Sequence, residues 1–261
     1  MRWPGFLLRW AVARRFARTS FILIVAPMRS GSTLLQHLLA QVDGYLMAGE
    51  THVTYRSPAD LERLMRRVYR FHGTLGAGAT CVVDKCVTDE LVPDVTLGGY
   101  PRTRLIFLLR DPAATVASLA ALTKWRHGGS AASAAAYYVQ HLARMVDLAA
   151  HVPDPSRAFF VTYEDLVDRT PAALAALTAF LALRAPLRER YETQEWTGVL
   201  ARGDLSENIK RGEIVRHGRR TVELPPAIRA QIEAAHAAAA AAIAARCTGL
   251  PADASLPCPA P

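Results

Sequence analysis

Phe21-Ile22-Leu23-Ile24-Val25 is an unbroken apolar run with no polar face, which suits a strand covered on both sides in a parallel sheet. A short loop follows, and then Leu34, Leu35, Leu38 and Leu39 recur at helical spacing. A strand that ends in a Gly/Ser loop and opens a helix aims successive backbone N–H groups and the positive helix end into one small space. Arg29 adds a fixed cation there, so Arg29, Ser30, Gly31, Ser32 and Thr33 are candidates for holding a phosphate or sulfate group. The bland alternative is a strand–turn–helix packing unit. The Walker A pattern needs a first Gly and a Lys that this loop lacks, so nucleoside-triphosphate hydrolysis is not the first reading.

At 261 residues the chain suits one α/β domain with room for a core. A hydrophobic content of 51% with 21% charged residues excludes a disordered class. The formal net charge of +8 favours anionic ligands, although charge alone does not separate nucleic acid, a membrane surface and a small phosphorylated molecule. No zinc-ligand spacing and no aromatic RNA-binding strand occur, so no nucleic-acid partner is expected. Four cysteines (81, 86, 247 and 258) do not make a disulfide framework in a chain this size; they read as reduced and fit a cytoplasmic setting.

Residues 1–19 read as a basic helix, with Phe6, Leu7 and Trp10 on one side and Arg9, Arg14 and Arg18 elsewhere. Packing on the domain is the main expectation, and weak peripheral contact with anionic lipid the lesser one. Arg14-Arg15 ahead of an apolar run has a twin-arginine look. That run stops at Arg29, however, and carries the strand on which the loop is built, so no export signal is expected.

Further along, Tyr45 to Ala48 reads as a second strand ending at Gly49-Glu50-Thr51-His52. Pairing parallel to the first would open its carboxyl end on the loop's edge of the sheet, where ligands bind in doubly wound folds. Ser57-Pro58 starts a helix through Leu61, Leu64, Met65 and Val68. Thr80 to Val83 is a third strand delivering Asp84-Lys85 at its end, and a short helix is expected from Asp89 to Val95. Arg104 to Leu109 is the clearest strand, followed by Asp111 as a cap and Pro112 in the first helical turn. A helix over Ala131–Ala150, a strand over Arg157–Val161, a helix over Pro171–Leu183, a polar irregular segment over 185–224 and an Ala-rich helix over Pro225–Ala245 complete the domain. Alternating strands and helices give a single-domain P-loop-type α/β fold over 20–249, a parallel sheet with helices on both faces, and a Pro-rich tail over 250–261.

Arg110 and Ser118 make a second constellation. An arginine at a strand end and a hydroxyl in the following helix can meet on one anion, because guanidinium offers a fork of donors matched to phosphate. Taken together, Arg29-Ser30-Gly31-Ser32-Thr33 and the segment Arg104–Leu119 resemble the 5′-phosphosulfate loop and the 3′-phosphate segment of sulfotransferases that use 3′-phosphoadenylyl sulfate (PAPS). Val83-Asp84-Lys85 is similar to the Asp-Lys segment of bacterial and carbohydrate-type members, and Tyr163-Glu164-Asp165-Leu166 to the segment whose Tyr contacts the adenine region. Lys210-Arg211-Gly212 resembles the late loop that closes over the 3′-phosphate. The resemblance spans roughly 21–220 by motif order. It departs where Leu34 replaces a frequent tryptophan and where no Trp follows Gly212; Arg219 and Arg220 could supply a cation there.

The resemblance implies PAPS as donor, with transfer of its sulfuryl group to a hydroxyl or amine. Charge then builds on the leaving phosphate oxygen, and cations there, Arg29 and Lys85, favour the transition state over the ground state. No metal is expected, since a sulfuryl group carries less charge than a γ-phosphoryl group and no carboxylate pair suits Mg²⁺. Glu50 is the first candidate for the base that takes the acceptor proton, and His52 its rival. The alternative roles are a turn cap for Glu50, a surface position for His52 and an ion pair between Lys85 and Asp84. Residues 51–56, 123–130 and 195–208, with Tyr55, Trp125 and Trp196, are expected to line the acceptor pocket, for a small molecule, a sugar or a lipid. The competing functions are a P-loop kinase or hydrolase, and a non-catalytic nucleotide-binding protein.

Overall fold

A computed structural model describes residues 12–74, 76, 78–199, 202, 207–216 and 223–250. Arg219, Arg220, the Pro-rich tail beyond Leu250 and most of the expected N-terminal helix lie outside the described residues; residues 12–16 are helical.

The apolar runs become strands: β1 (Ser20–Val25), β2 (Tyr45–Leu46), β3 (Cys81–Cys86), β4 (Thr103–Leu109), β5 (Ala158–Thr162) and β6 (Thr248–Gly249). They form one sheet in the order β2-β3-β1-β4-β5-β6, with every pairing parallel. Between them run α1 (Ser32–Leu39), α2 (Pro58–Phe71), α3 (Val95–Gly98), α4 (Pro112–Ala120), α5 (Ala131–Ala150), α6 (Tyr163–Asp168), α7 (Thr170–Phe180), α8 (Glu207–Lys210) and α9 (Pro226–Ala244).

Alternation along the strands sorts the core into two halves. Phe21, Leu23 and Val25 of β1 join Leu105, Phe107 and Leu109 of β4 in the half that α2, α5 and α9 cover. Ile22, Ile24, Ile106 and Leu108 point the other way, toward α1 and α7. This is why Phe21–Val25 of β1 has no polar position: both of its faces are interior.

Local signals set most helix ends. Asp60 accepts from the backbone N–H of Ser57 at 2.9 Å, half of a capping box, with Pro58 in the first turn of α2. Asp111 accepts from Ala114 N–H at 2.7 Å ahead of Pro112. After α7, Leu183 N–H reaches Thr178 O and Ala182 N–H reaches Ala179 O, both at 3.0 Å, in a Schellman turn that forces Ala182 to φ 52.

Three expectations change. β2 pairs with β3 rather than β1, so β3 lies between them, although all three strands still open on one edge. β3 runs on to Cys86 because it pairs with β1 as far as Val25, and Asp84 and Lys85 therefore sit inside the strand and not beyond it. The helix expected over 89–95 is a 3₁₀ turn, Asp89–Leu91, followed by α3. The two-residue strand β6 carries no alternation that a sequence could reveal.

Candidate active site

The loop after β1 is shaped before any ligand arrives. Arg29 and Gly31 both adopt left-handed backbone, φ 72 and φ 93. Gly31 is obligatory for a second reason: a Cβ there would meet Tyr163 Cδ2 at 2.4 Å. No side chain caps α1 at Gly31, and the N–H groups of its first turn have no carbonyl within the helix to meet. Met28 N–H donates to the Tyr137 hydroxyl at 3.0 Å, and Ser30 Oγ donates to Pro27 O.

The second constellation closes on this loop. Arg110 donates to Arg29 O at 3.1 Å, and Arg29 Nε donates to Ser118 Oγ at 2.9 Å. The Arg110 guanidinium also lies 4.5 Å from the centroid of the Tyr163 ring, a cation–π contact. Glu164 accepts from Asp111 N–H at 3.1 Å, pinning the start of α6 to the start of α4. Arg29, Gly31, Arg110, Ser118 and Tyr163 thus meet at one place, from three segments of the chain.

Beside them, Lys85 reaches across from β3. Its Nζ donates to Thr33 Oγ1 at 2.8 Å and ion-pairs with Glu50 Oε1 at 3.1 Å, while only 2% of the side chain is exposed. Glu50 Oε2 lies 3.9 Å from His52 Nε2, and the His52 side chain is 53% exposed on a backbone at φ 54. The two rival bases therefore sit together at this edge, and only Glu50 touches the lysine. Thr33 is itself fixed, because its carbonyl faces His37 Nδ1 at 2.8 Å. His37 Nε2 meets Thr197 Oγ1 at 2.8 Å, and burial holds this imidazole below its ordinary pKa.

Asp84 is not the partner of Lys85. Neighbouring strand residues point to opposite faces, and Asp84 faces α2. There it accepts from Thr51 Oγ1 and Tyr55 Oη, both at 2.5 Å, and from Thr51 N–H at 3.3 Å. Burial raises its carboxyl pKa from 3.8 to about 6 against those hydrogen bonds. Tyr55 is 1% exposed and Trp196 also 1%, packed 4.3 Å from His37. Both were expected in the acceptor pocket; both are core residues, Tyr55 tied through its hydroxyl to buried Asp84 and Trp196 packed on buried His37. Trp125 is half-buried, edge-on to Tyr137 at 4.8 Å.

Lys210 ion-pairs with Glu207 at 2.6 Å, and Gly212 turns at φ 70, where its carbonyl accepts from Tyr191 N–H at 2.8 Å. Among the described residues no hydrogen bond or ion pair joins Lys210, Arg211 or Gly212 to the Arg29 loop. The sequence reading missed Tyr137, whose hydroxyl also donates to Val87 O at 2.5 Å. It also missed Arg67, Arg70 and Phe71, which line a cleft of about 530 Å³ beside Glu50 together with Arg202, a residue of the expected 195–208 stretch. The only signal of the two α2 arginines was a polar helix face that surface helices share. No cluster of His, Cys, Asp or Glu suited to a metal occurs among the described residues, nor any helix long and apolar enough to cross a membrane.

A parallel sheet whose first loop, helix N-terminus and guanidinium pair gather at one carboxyl edge defines a P-loop-type α/β fold. Residues 73–186 match the model of the sulfotransferase family. Lys85, Arg110, Ser118 and Tyr163 fall inside the matched region; Arg29 and Glu50 precede it. The fold is similar to the sulfotransferase domain from the curacin biosynthetic pathway, at 18% identity and a TM-score of 0.59, over 84% of this chain and 96% of that one. It is equally similar to the sulfotransferase domain of the Synechococcus PCC 7002 olefin synthase, at 20% identity and a TM-score of 0.59, over 84% and 94% of the two chains. No curated protein matches the chain in sequence.

Proposed function

We propose that the protein moves a sulfuryl group from PAPS to a hydroxyl or amine of a small-molecule, carbohydrate or lipid acceptor, in the cytoplasm. The observation that carries this reading is the meeting of Arg110, Ser118 and Arg29. Two motifs 81 residues apart in sequence share one hydrogen-bonded cluster beside an uncapped helix N-terminus. In this reading Arg29, Ser30, Gly31, Ser32 and Thr33 hold the 5′-phosphosulfate, and Arg110 with Ser118 holds the 3′-phosphate. Tyr163, stacked on Arg110, offers a face to the adenine region. Lys210, Arg211 and Gly212 form the loop that closes over the 3′-phosphate.

The donor supplies the sulfuryl group and a phosphate leaving group. Lys85 has three N–H donors, of which Thr33 and Glu50 take two, so one remains for the oxygen on which charge develops. Glu50 takes the acceptor proton as the acceptor's bond to sulfur forms and the bond from sulfur to the phosphate oxygen breaks, its electron pair leaving on that oxygen. His52 is the alternative base. No metal enters this scheme.

Calorimetric titration tests the reading. Adenosine 3′,5′-bisphosphate (PAP) is expected to bind at least tenfold more tightly than ADP or than ATP with Mg²⁺, since only PAP satisfies Arg110 and Ser118. Preference for ATP would move the protein to the kinase or hydrolase class.

A further inference from the structure

We propose that the acceptor is itself an anion, bound through a carboxylate or phosphate group by Arg67, Arg70 and Arg202 in the cleft beside Glu50. The proposal rests on the sulfotransferase reading for the identity of the reaction, but the binding site stands on its own geometry.

Four arginines lie on the outer turns of α2, and they divide into two kinds. Arg63 pairs with Asp60 at 2.7 Å and Arg66 with Glu62 at 2.6 Å, both within the helix. Arg67 and Arg70 line the cleft instead, and neither forms an ion pair with a carboxylate among the described residues. Arg202 joins them from the other wall, held by a hydrogen bond to Ala48 O at 3.2 Å and by the Phe71 ring 4.8 Å below its guanidinium. Arg67 donates to Thr51 O. These contacts with neutral groups orient two of the guanidiniums without neutralising them, and each keeps further N–H donors. Among the described residues the one carboxylate lining the cleft, Glu50, is already bonded to Lys85.

A cleft with three cations and one committed carboxylate concentrates anions. At about 530 Å³ it has room for a sugar- or aryl-sized molecule, and Phe71 gives one wall an aromatic surface. An acceptor seated by its anionic group on the arginines would present a hydroxyl toward Glu50, which lines the same cleft.

The test compares nitrophenyl glucuronide and a nitrophenyl glucoside bearing a terminal phosphate with the neutral nitrophenyl glucoside, by calorimetry with and without saturating PAP. The charged pair is expected to bind about tenfold or more tightly than the neutral one. Whichever of the two charged ligands binds better tells whether carboxylate or phosphate is preferred. Arg70→Glu should abolish the advantage, while Arg66→Glu, on the same helix but outside the cleft, should keep it. PAP affinity, measured on each variant, should not change. Equal affinity for all three glycosides, no binding by the charged pair, or an advantage that survives Arg70→Glu overturns the proposal. Failure of PAP to bind would instead count against the donor reading, and the glycoside comparison without PAP would still decide the anion site.

Discussion

The cations at the sheet edge are held in two opposite ways. Arg110 is half-buried and meets neutral groups, the carbonyl of Arg29 and the face of Tyr163. Lys85 is 2% exposed and meets a carboxylate, Glu50. Support by neutral groups fixes a guanidinium in place and leaves its charge for a ligand. A buried ion pair does something else: its charges cancel internally, and removing either partner strands the other in a poor solvent. One arrangement suits grip, the other suits a group whose field matters when charge appears nearby. The difference separates binding from turnover, and it can be broken experimentally.

The largest effect is expected from Lys85→Met. Steady-state turnover should fall by about a hundred- to a thousandfold, the magnitude typical of losing one preorganised donor at a developing anion, with PAP affinity nearly intact. A comparable fall in PAP affinity would erase the distinction drawn above. Next is Asp84, on the other face of the same strand. Its folded-state pKa, about 6, lies above the ordinary carboxyl value of 3.8, so between those values the folded protein binds more protons than the unfolded chain. Stability should therefore fall as pH rises through that window, by on the order of 3 kcal/mol from this group. Urea unfolding at several pH values should show that slope in the parent and lose it in Asp84→Asn.

Arg110→Ala should weaken PAP by about tenfold to a hundredfold through loss of charge-assisted hydrogen bonds, leaving the urea midpoint close to that of the parent. Unchanged affinity would remove the grip assigned to this residue. The smallest effect sharpens the comparison from outside the site. Ala182 and Arg29 share left-handed backbone, φ 52 and φ 72. Ala182→Gly should stabilise the protein by about 0.5–1 kcal/mol, with turnover unaltered, because the strain there serves only a helix end. Arg29→Gly would relieve similar strain and yet lose PAP binding.

What the sequence disclosed was local. The apolar run into Gly31, Ser57-Pro58 with Asp60, and Asp111-Pro112 each carry their structure within a few residues, and they were legible. The Arg110–Ser118 spacing was legible too, because a strand end and the first two turns of the next helix fix that distance. What stayed hidden depends on partners far along the chain. Two charged residues, Asp84 and Lys85, read as a strand exit, yet pairing with β1 keeps both inside the sheet. Tyr55 and Trp196 read as pocket aromatics until Asp84 and His37 are seen beside them. The cleft arginines could not be told from Arg63 and Arg66 until α2 was set against residue 202.

The phenol of Tyr137 works as a cross-tie. It accepts a hydrogen bond from the backbone after β1 and donates one to the backbone after β3, from a side chain 2% exposed. Separating those two crossings would leave a buried hydroxyl with nothing to bond, so the spacing between the donor loop and the lysine-bearing strand is set by α5, a helix that supplies no group to the chemistry.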